Sequence, residues 1–235
     1  MDSVKLQPTY LDLTTPHVAD ACMRLGIPVR CAPAGMRPLW SGTHVAGRAC
    51  PARHYGSVDV FLEAVERAAP GDVLVIDNGG RLDEACVGDL VTLETARAGL
   101  RGIVIWGLHR DSAELRTIRL PIFSLGTLPA GPQRLDSQDA AALSSANCGE
   151  HMVTVDDFVL GDDDGVIFIP LSQAREVAKL ASTIRDTERH QAARMQLGTN
   201  LRKQARFDEY LAARSSDASI TFRQHLRSIG GAIEE

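Results

Sequence analysis

The stretch DVLVIDNGG (72–80), followed by DLVTLETARAGL (89–100) and RGIVIW (101–106), decides the fold. The first and last are short apolar runs rich in β-branched residues and bounded by turn residues, whereas the middle one repeats its apolar positions at helical spacing. Strand, helix and strand at these lengths predict a βαβ unit with a mainly parallel, buried sheet. The pattern extends in both directions. THVAGRAC (43–50) alternates as a strand, and SVDVFLEAVERAAPG (57–71) reads as a helix with a serine cap and a Pro-Gly stop. Downstream, DSAELRTIRL (111–120) is a short helix and PIFSLG (121–126) a strand.

Near the start, Thr15-Pro16 predicts a capped helix that Gly26 closes, ahead of the Pro- and Gly-rich loop IPVRCAPAGMRPLWSG (27–42). Residues 131–146 are loop-like. HMVTVDDFVLGDDDGVIFIP (151–170) predicts two strands joined through the turn Asp162-Asp163-Asp164-Gly165. Ser172 then caps one long helix that stops at Gly198. With no linker to split it, the chain is expected to form a single α/β domain over residues 1–171. A helical extension, 172–235, is longer than that body needs and is expected to pack on a neighbouring subunit.

Composition narrows the function classes. The chain has 235 residues, of which 44 % are hydrophobic and 23 % charged, an ordinary globular balance. No apolar run approaches the ~20 residues of a membrane span, and the N-terminus lacks a signal-peptide pattern, so the expectation is a cytoplasmic protein without a membrane partner. Five cysteines without a CxxC and seven histidines without HxxxH or HxH argue against a disulfide framework and a zinc site. A metal here needs carboxylate and water ligands. A net charge of −5 without a basic stripe argues against nucleic acid, since the Arg-rich segment 185–216 interleaves acids.

GLHRDSAEL (107–115) places Arg110 beside Asp111 where a strand gives way to a helix. The plainest reading is a capping box, with Asp111 accepting a helix N–H and Glu114 reaching back. That accounts for Asp111 but not for Arg110. In parallel α/β sheets, ligands sit beyond the carboxyl ends of strands, where helix N-termini offer unpaired N–H groups. A second such end leads to Gly88-Asp89. If the two strands are neighbours, Asp89 and the amides of Leu90 and Val91 face Arg110 and Asp111 across one cleft. A guanidinium there suits a carboxylate, and two carboxylates suit a hard divalent ion held partly through water. Such a cleft fits a 2-oxo acid. Lysine occurs only at Lys5, Lys179 and Lys203, none in an apolar strand, so a lyase acting on a keto acid here is expected to use a metal rather than a Schiff base.

GDVLVIDNGG (71–80), VGDLVTLETARAGLRGIVIWGLHRDSAEL (87–115), PIFSLGTLPAGPQ (121–133) and GDDDGVIFIP (161–170) together resemble the RraA-like family, which includes class II 4-hydroxy-4-methyl-2-oxoglutarate aldolases. The resemblance runs from about Asp12 to about Gly198, and the tail TFRQHLRSIGGAIEE (221–235) is similar to one branch of the family. It implies swivelling-domain α/β sandwich subunits, in a homotrimer or a dimer of trimers, with sites in the clefts between them. It also implies that Arg110 binds the pyruvoyl carboxylate and that Asp111 ligates Mg2+ or Mn2+, with no organic cofactor. By the same resemblance Asp89 holds a metal-bound water that serves as acid and base. The Leu90 and Val91 amides touch the substrate while their side chains enter the core, and Glu188 reaches a neighbour's metal waters.

The implied reaction breaks a C–C bond next to a pyruvoyl group through a metal-stabilised enolate, by retro-aldol cleavage of a 4-hydroxy-2-oxo acid or decarboxylation of oxaloacetate. The alternative within the family is a non-catalytic regulator of a ribonuclease. Two positions depart from the family: Trp106, where many members carry aspartate, and His109, where a small apolar residue is usual. His109 is either a substrate contact or a packed or solvated histidine. The DDDG turn lacks the spacing of a calcium loop and DNGG that of a dinucleotide fingerprint.

Overall fold

In the computed structural model, which describes residues 6–230, α1 (Gln7–Tyr10) and α2 (Thr15–Arg24) precede two short strands, β1 (Arg30–Cys31) and β2 (Arg37–Pro38), and the long β3 (Val45–Arg53). There follow α3 (Asp59–Arg67), β4 (Val73–Asp77), β5 (Ala85–Val87), α4 (Asp89–Arg97), β6 (Gly102–Trp106), β7 (Leu108–His109), α5 (Ser112–Ile118) and β8 (Ile122–Ser124). A long connection leads to β9 (Ser145–Cys148), β10 (His151–Thr154), β11 (Asp157–Asp162) and β12 (Gly165–Pro170). Helices α6 (Ala174–Gln196), α7 (Leu201–Gln204), α8 (Phe207–Ser216) and α9 (Phe222–Ile229) complete the described chain.

One sheet runs in the order β1-β12-β11-β3-β4-β6-β8-β2. Its centre, β3, β4, β6 and β8, is parallel, and β4 is buried along its whole length. Continuous Val/Ile/Leu runs suit strands covered on both faces. The flanks are antiparallel, because β11-β12 is a hairpin and β1 and β2 are short edge pieces, so the sheet is mixed. Phe61, Val91 and Leu115 from α3, α4 and α5 pack on Leu74, Ile76 and Ile103. On the other side of the molecule, α2 and α6 pack through Val18, Ala21, Val177 and Ala181 against Phe158 and Ile167.

Several local expectations shift by a residue or two. The cap of α2 is Thr14 rather than Thr15: its N–H donates to His17 Nδ1 at 3.2 Å, in a capping box. Thr15 instead gives its N–H and hydroxyl to the Asp162 carboxylate, at 2.6 and 2.8 Å. Ser57 does not cap α3, which starts after Val58, and α6 starts after Gln173 without a side-chain cap rather than at Ser172. Residues 151–170 hold three strands, not two. β10 folds back on β9, and only β11 and β12 share the predicted turn, with Asp162 opposite Gly165. Gly165 has φ 139°, a conformation that favours glycine.

All five cysteines are free, and Cys31 alone among them is exposed. Among the described residues no helix is long and apolar enough to cross a membrane. Residues 192–198 of the long helix and its stop are exposed, and the segment beyond closes an aromatic cluster of its own around Phe207, Tyr210, Phe222 and His225. Lys5 and the end of the tail, 231–235, lie outside the described residues.

Candidate active site

The two strand ends singled out in the sequence do meet. β4 and β6 are parallel neighbours, and beyond them β5 pairs parallel with β7, Ala85 opposite Leu108 and Val87 opposite His109. The Arg110 N–H donates to the Val87 carbonyl at 2.9 Å, so Gly88-Asp89 and Arg110-Asp111 leave the sheet side by side. Gly88 is required by this approach: a Cβ there would lie 2.3 Å from Asp111 Oδ2. That oxygen accepts the Asp89 N–H at 3.3 Å and lies 3.5 Å from Arg110 Nε. Asp89 Oδ1 accepts the Leu90 N–H at 2.8 Å. One exposed first turn of α4 thus gathers a guanidinium, two carboxylates and helix-start amides.

The capping box expected from Asp111 and Glu114 does not form. Asp111 precedes α5 with φ 60°, and although its carbonyl accepts the Leu115 N–H at 3.0 Å, its side chain makes no cap bond to that helix. Its carboxylate turns to α4 instead. A non-glycine residue in the left-handed region costs about 1–2 kcal/mol, and such strain collects at functional sites.

Asp89 and Arg110 line a cleft of about 470 Å³, together with the apolar Val58, Leu62, Leu90 and Leu93 and the charged Glu94 and Arg97; Asp111 stands beside its edge, against Gly88. Leu90 is 76 % exposed, so it stands on the cleft rim and not in the core, whereas Val91 is buried as expected. His109 does not line the cleft. Its ring is buried, with Nδ1 2.8 Å from Ser124 Oγ and Nε2 3.1 Å from Ser112 Oγ. Burial pushes its pKa below the ordinary value and the nearby Arg116 adds to the effect, so the ring is a neutral spacer behind Arg110. Trp106 packs its indole on the DNGG turn, where a Cβ on Gly80 would lie 2.6 Å from Trp106 Cζ2. Within this chain Glu188 pairs with His17 Nε2 at 3.2 Å.

Among the described residues no group of three or more His, Cys, Asp or Glu is gathered for a metal. The start of α4 brings two carboxylates together at the edge of the cleft, Asp89 and Asp111, the latter 35 % exposed. Hard, partly hydrated oxygen donors of this kind fit Mg2+, which keeps several waters and binds through one or two carboxylates.

A second polar group escaped the sequence reading. Arg134 Nε donates to both Glu84 oxygens at 3.1 and 3.2 Å, and its Nη2 donates to Glu84 Oε1 at 2.9 Å and Asn78 Oδ1 at 3.1 Å. His54 Nδ1 lies 2.8 Å from the same Asn78 oxygen. Burial lowers the His54 pKa, against the hydrogen bond that Asn78 Oδ1 accepts from its ring. No spacing links positions 54, 78, 84 and 134; the one local hint was that Asn78 and Glu84 flank the turn after β4.

The RraA-like profile, described as Aldolase/RraA, matches residues 15–168. A protein of Halalkalibacterium halodurans bearing the name "Putative 4-hydroxy-4-methyl-2-oxoglutarate aldolase" is 33 % identical over 150 residues, spanning 62 % of this chain and 69 % of that one. Among solved structures, an uncharacterized protein of Pseudomonas syringae pv. tomato shares the fold, with TM-score 0.74 and 24 % identity over 85 % of this chain and 96 % of that one. Streptomyces coelicolor RraAS2, described as an unusual member of the RNase ES inhibitor RraA protein family, has TM-score 0.69 and 27 % identity over 81 % of this chain and 96 % of its own. The profile match ends before α6, so the helical extension lies outside it.

Proposed function

The chain belongs to the RraA-like family and has its α/β fold, and from that premise we propose that it is a divalent-metal-dependent C–C lyase acting on acids with a pyruvoyl group. The substrates are 4-hydroxy-2-oxo acids similar to 4-hydroxy-4-methyl-2-oxoglutarate, oxaloacetate, or both. The observation that carries this reading is the uncapped Asp111, turned away from its own helix toward the start of α4 beside Arg110.

Arg110 binds the substrate carboxylate through its planar fork. The first-turn amides of α4, at Leu90 and Val91, add positive potential where negative charge develops on the keto oxygen. Asp89, working through a water, accepts the proton of the C4 hydroxyl as the C3–C4 bond breaks and returns it to C3 of the enolate, releasing pyruvate and a carbonyl product. With oxaloacetate, CO2 leaves and the same group delivers the proton. Mg2+ or Mn2+, held by Asp111 and Asp89, supplies Lewis-acid polarisation of the keto oxygen when bound. The reading also takes the protein to be a cytoplasmic homo-oligomer, trimer or dimer of trimers, in which Glu188 reaches a neighbour's site.

The test is pyruvate release from oxaloacetate and from 4-hydroxy-4-methyl-2-oxoglutarate by EDTA-stripped protein, with and without added Mg2+ or Mn2+. Turnover that appears only with metal and is lost in Asp111→Ala supports the reading; absence of metal-dependent turnover overturns it. The likeness to RraAS2, named for an inhibitor family of RNase ES, favours a second reading as a ribonuclease regulator. Inhibition of a copurifying ribonuclease, with no keto acid turned over, would select it.

A further inference from the structure

We infer that Arg134 is a positioning residue: through its buried pairing with Glu84 it sets the place of the Arg110 guanidinium, and so the fit of a 2-oxo acid's carboxylate. The inference rests on the reading of Arg110 as the carboxylate clamp.

Arg110 needs such support. Its side chain is 48 % exposed and its ion-pair contact with Asp111, at 3.5 Å, is loose. What it rests against is the backbone of the loop between β8 and β9: a Cβ on Gly131 would lie 2.9 Å from Arg110 Nη1. The next residue, Pro132, is part of the cleft wall. The position of this loop therefore decides where the guanidinium points.

The loop is pinned on both sides of Gly131. Before it, the Leu128 N–H donates to the His109 carbonyl at 3.0 Å, and the Ala85 N–H donates to the Ala130 carbonyl at 2.8 Å. After it, the Asp136 N–H donates to the Tyr55 carbonyl at 2.8 Å, and Gly56 admits the Arg134 carbonyl where a Cβ would lie 2.1 Å away. Between these pins Arg134 turns inward to Glu84, whose side chain is 5 % exposed. Glu84 immediately precedes β5, the strand that delivers Asp89. One bidentate pair thus ties the loop behind Arg110 to the strand that leads to Asp89. A planar fork engaging both carboxylate oxygens and Asn78 fixes distance and angle together, which a lysine point charge does not.

Glu84 also meets Arg81 at 3.7 Å and Arg134 also pairs with Asp136, but removing either partner alone would strip the other of its best-placed buried counter-charge and endanger folding, so the decisive variant removes both, Glu84→Gln with Arg134→Met. Its pyruvate affinity, measured calorimetrically in the presence of Mg2+, and its kcat and KM for oxaloacetate are compared with the parent chain and with Arg110→Ala. The expected result is a Kd for pyruvate and a KM raised about tenfold, as for other groups that orient a binding residue, with kcat within about twofold. Arg134→Lys, which keeps Glu84 paired, should move both constants in the same direction by a smaller factor. Unchanged Kd and KM in the folded double variant, or in Arg134→Lys should the double variant not fold, overturn the inference while Arg110→Ala still loses pyruvate. If Arg110→Ala binds pyruvate like the parent, the clamp reading itself fails and this inference falls with it.

Discussion

Helices α2 and α5 begin alike on paper, each with a Thr or Asp at the cap position, and differently in space. At α2 the cap residue Thr14 is extended, with φ −100°, and exchanges bonds with His17 of its own helix. At α5 the cap residue Asp111 is left-handed, gives its own helix no side-chain bond, and turns its carboxylate to the first N–H of α4. A cap that serves its own helix contributes to stability. A polar side chain at a helix start that forgoes that bond, and keeps a strained backbone, is available for chemistry.

The strongest way to break this comparison is to exchange the consequences. Asp111→Ala should lower turnover by about 100-fold or more, the order lost when one charge-stabilising group is removed from a site, and shift the melting temperature by only a few degrees. A large melting loss with activity retained would make Asp111 an ordinary cap. Arg110→Lys comes next. It keeps the charge but loses the fork, and should raise KM about tenfold with kcat little changed, as steady-state kinetics on oxaloacetate would reveal.

Thr14→Ala should do the reverse of Asp111→Ala, costing about 1 kcal/mol in denaturant unfolding with turnover intact. Asp111→Gly sharpens the contrast. It lacks the carboxylate like Asp111→Ala but accepts φ 60°, so it should be more stable than the alanine variant by about 1 kcal/mol while equally inactive.

The smallest effect concerns the sealed cluster beside the open cleft. His54 is buried among Asn78, Arg134, Glu84 and Asp136, and burial lowers its folded pKa below the ordinary 6.5. The unfolded chain therefore binds the proton first on acidification. Stability is complete above about pH 6.5 and declines as pH falls from there toward the folded pKa. Melting temperatures recorded from pH 8 to 5.5 should show that decline, and His54→Asn should flatten it.

Much of the centre was legible. The runs at 73–77 and 102–106 are continuous apolar strands because both faces are covered, and the intervening helix shows its period. From those elements the pairing of strand ends could be supposed, and with it the company of Asp89, Arg110 and Asp111. The misreadings were of a different kind. Thr14 and Thr15 are interchangeable to a capping rule; only the Asp162 carboxylate, 147 positions away, claims Thr15. Leu90 reads as apolar and therefore buried, but the first turn of α4 faces the cleft, which exposes it. The family resemblance supplied roles for single residues that local pattern alone left open.

By itself the sequence determined the order and type of the central elements, since hydrophobic period and turn chemistry are local properties. The tertiary structure alone decided that Asp111 serves α4 and not α5, that His109 is sealed between two serines, and that Arg134 finds Glu84. Asp111 and Asp89 meet across 22 positions and Arg134 and Glu84 across 50. Which polar groups become partners over such separations is set by strand pairing and loop closure, and a side chain's partner, more than its identity, decides whether it caps, clamps or supports.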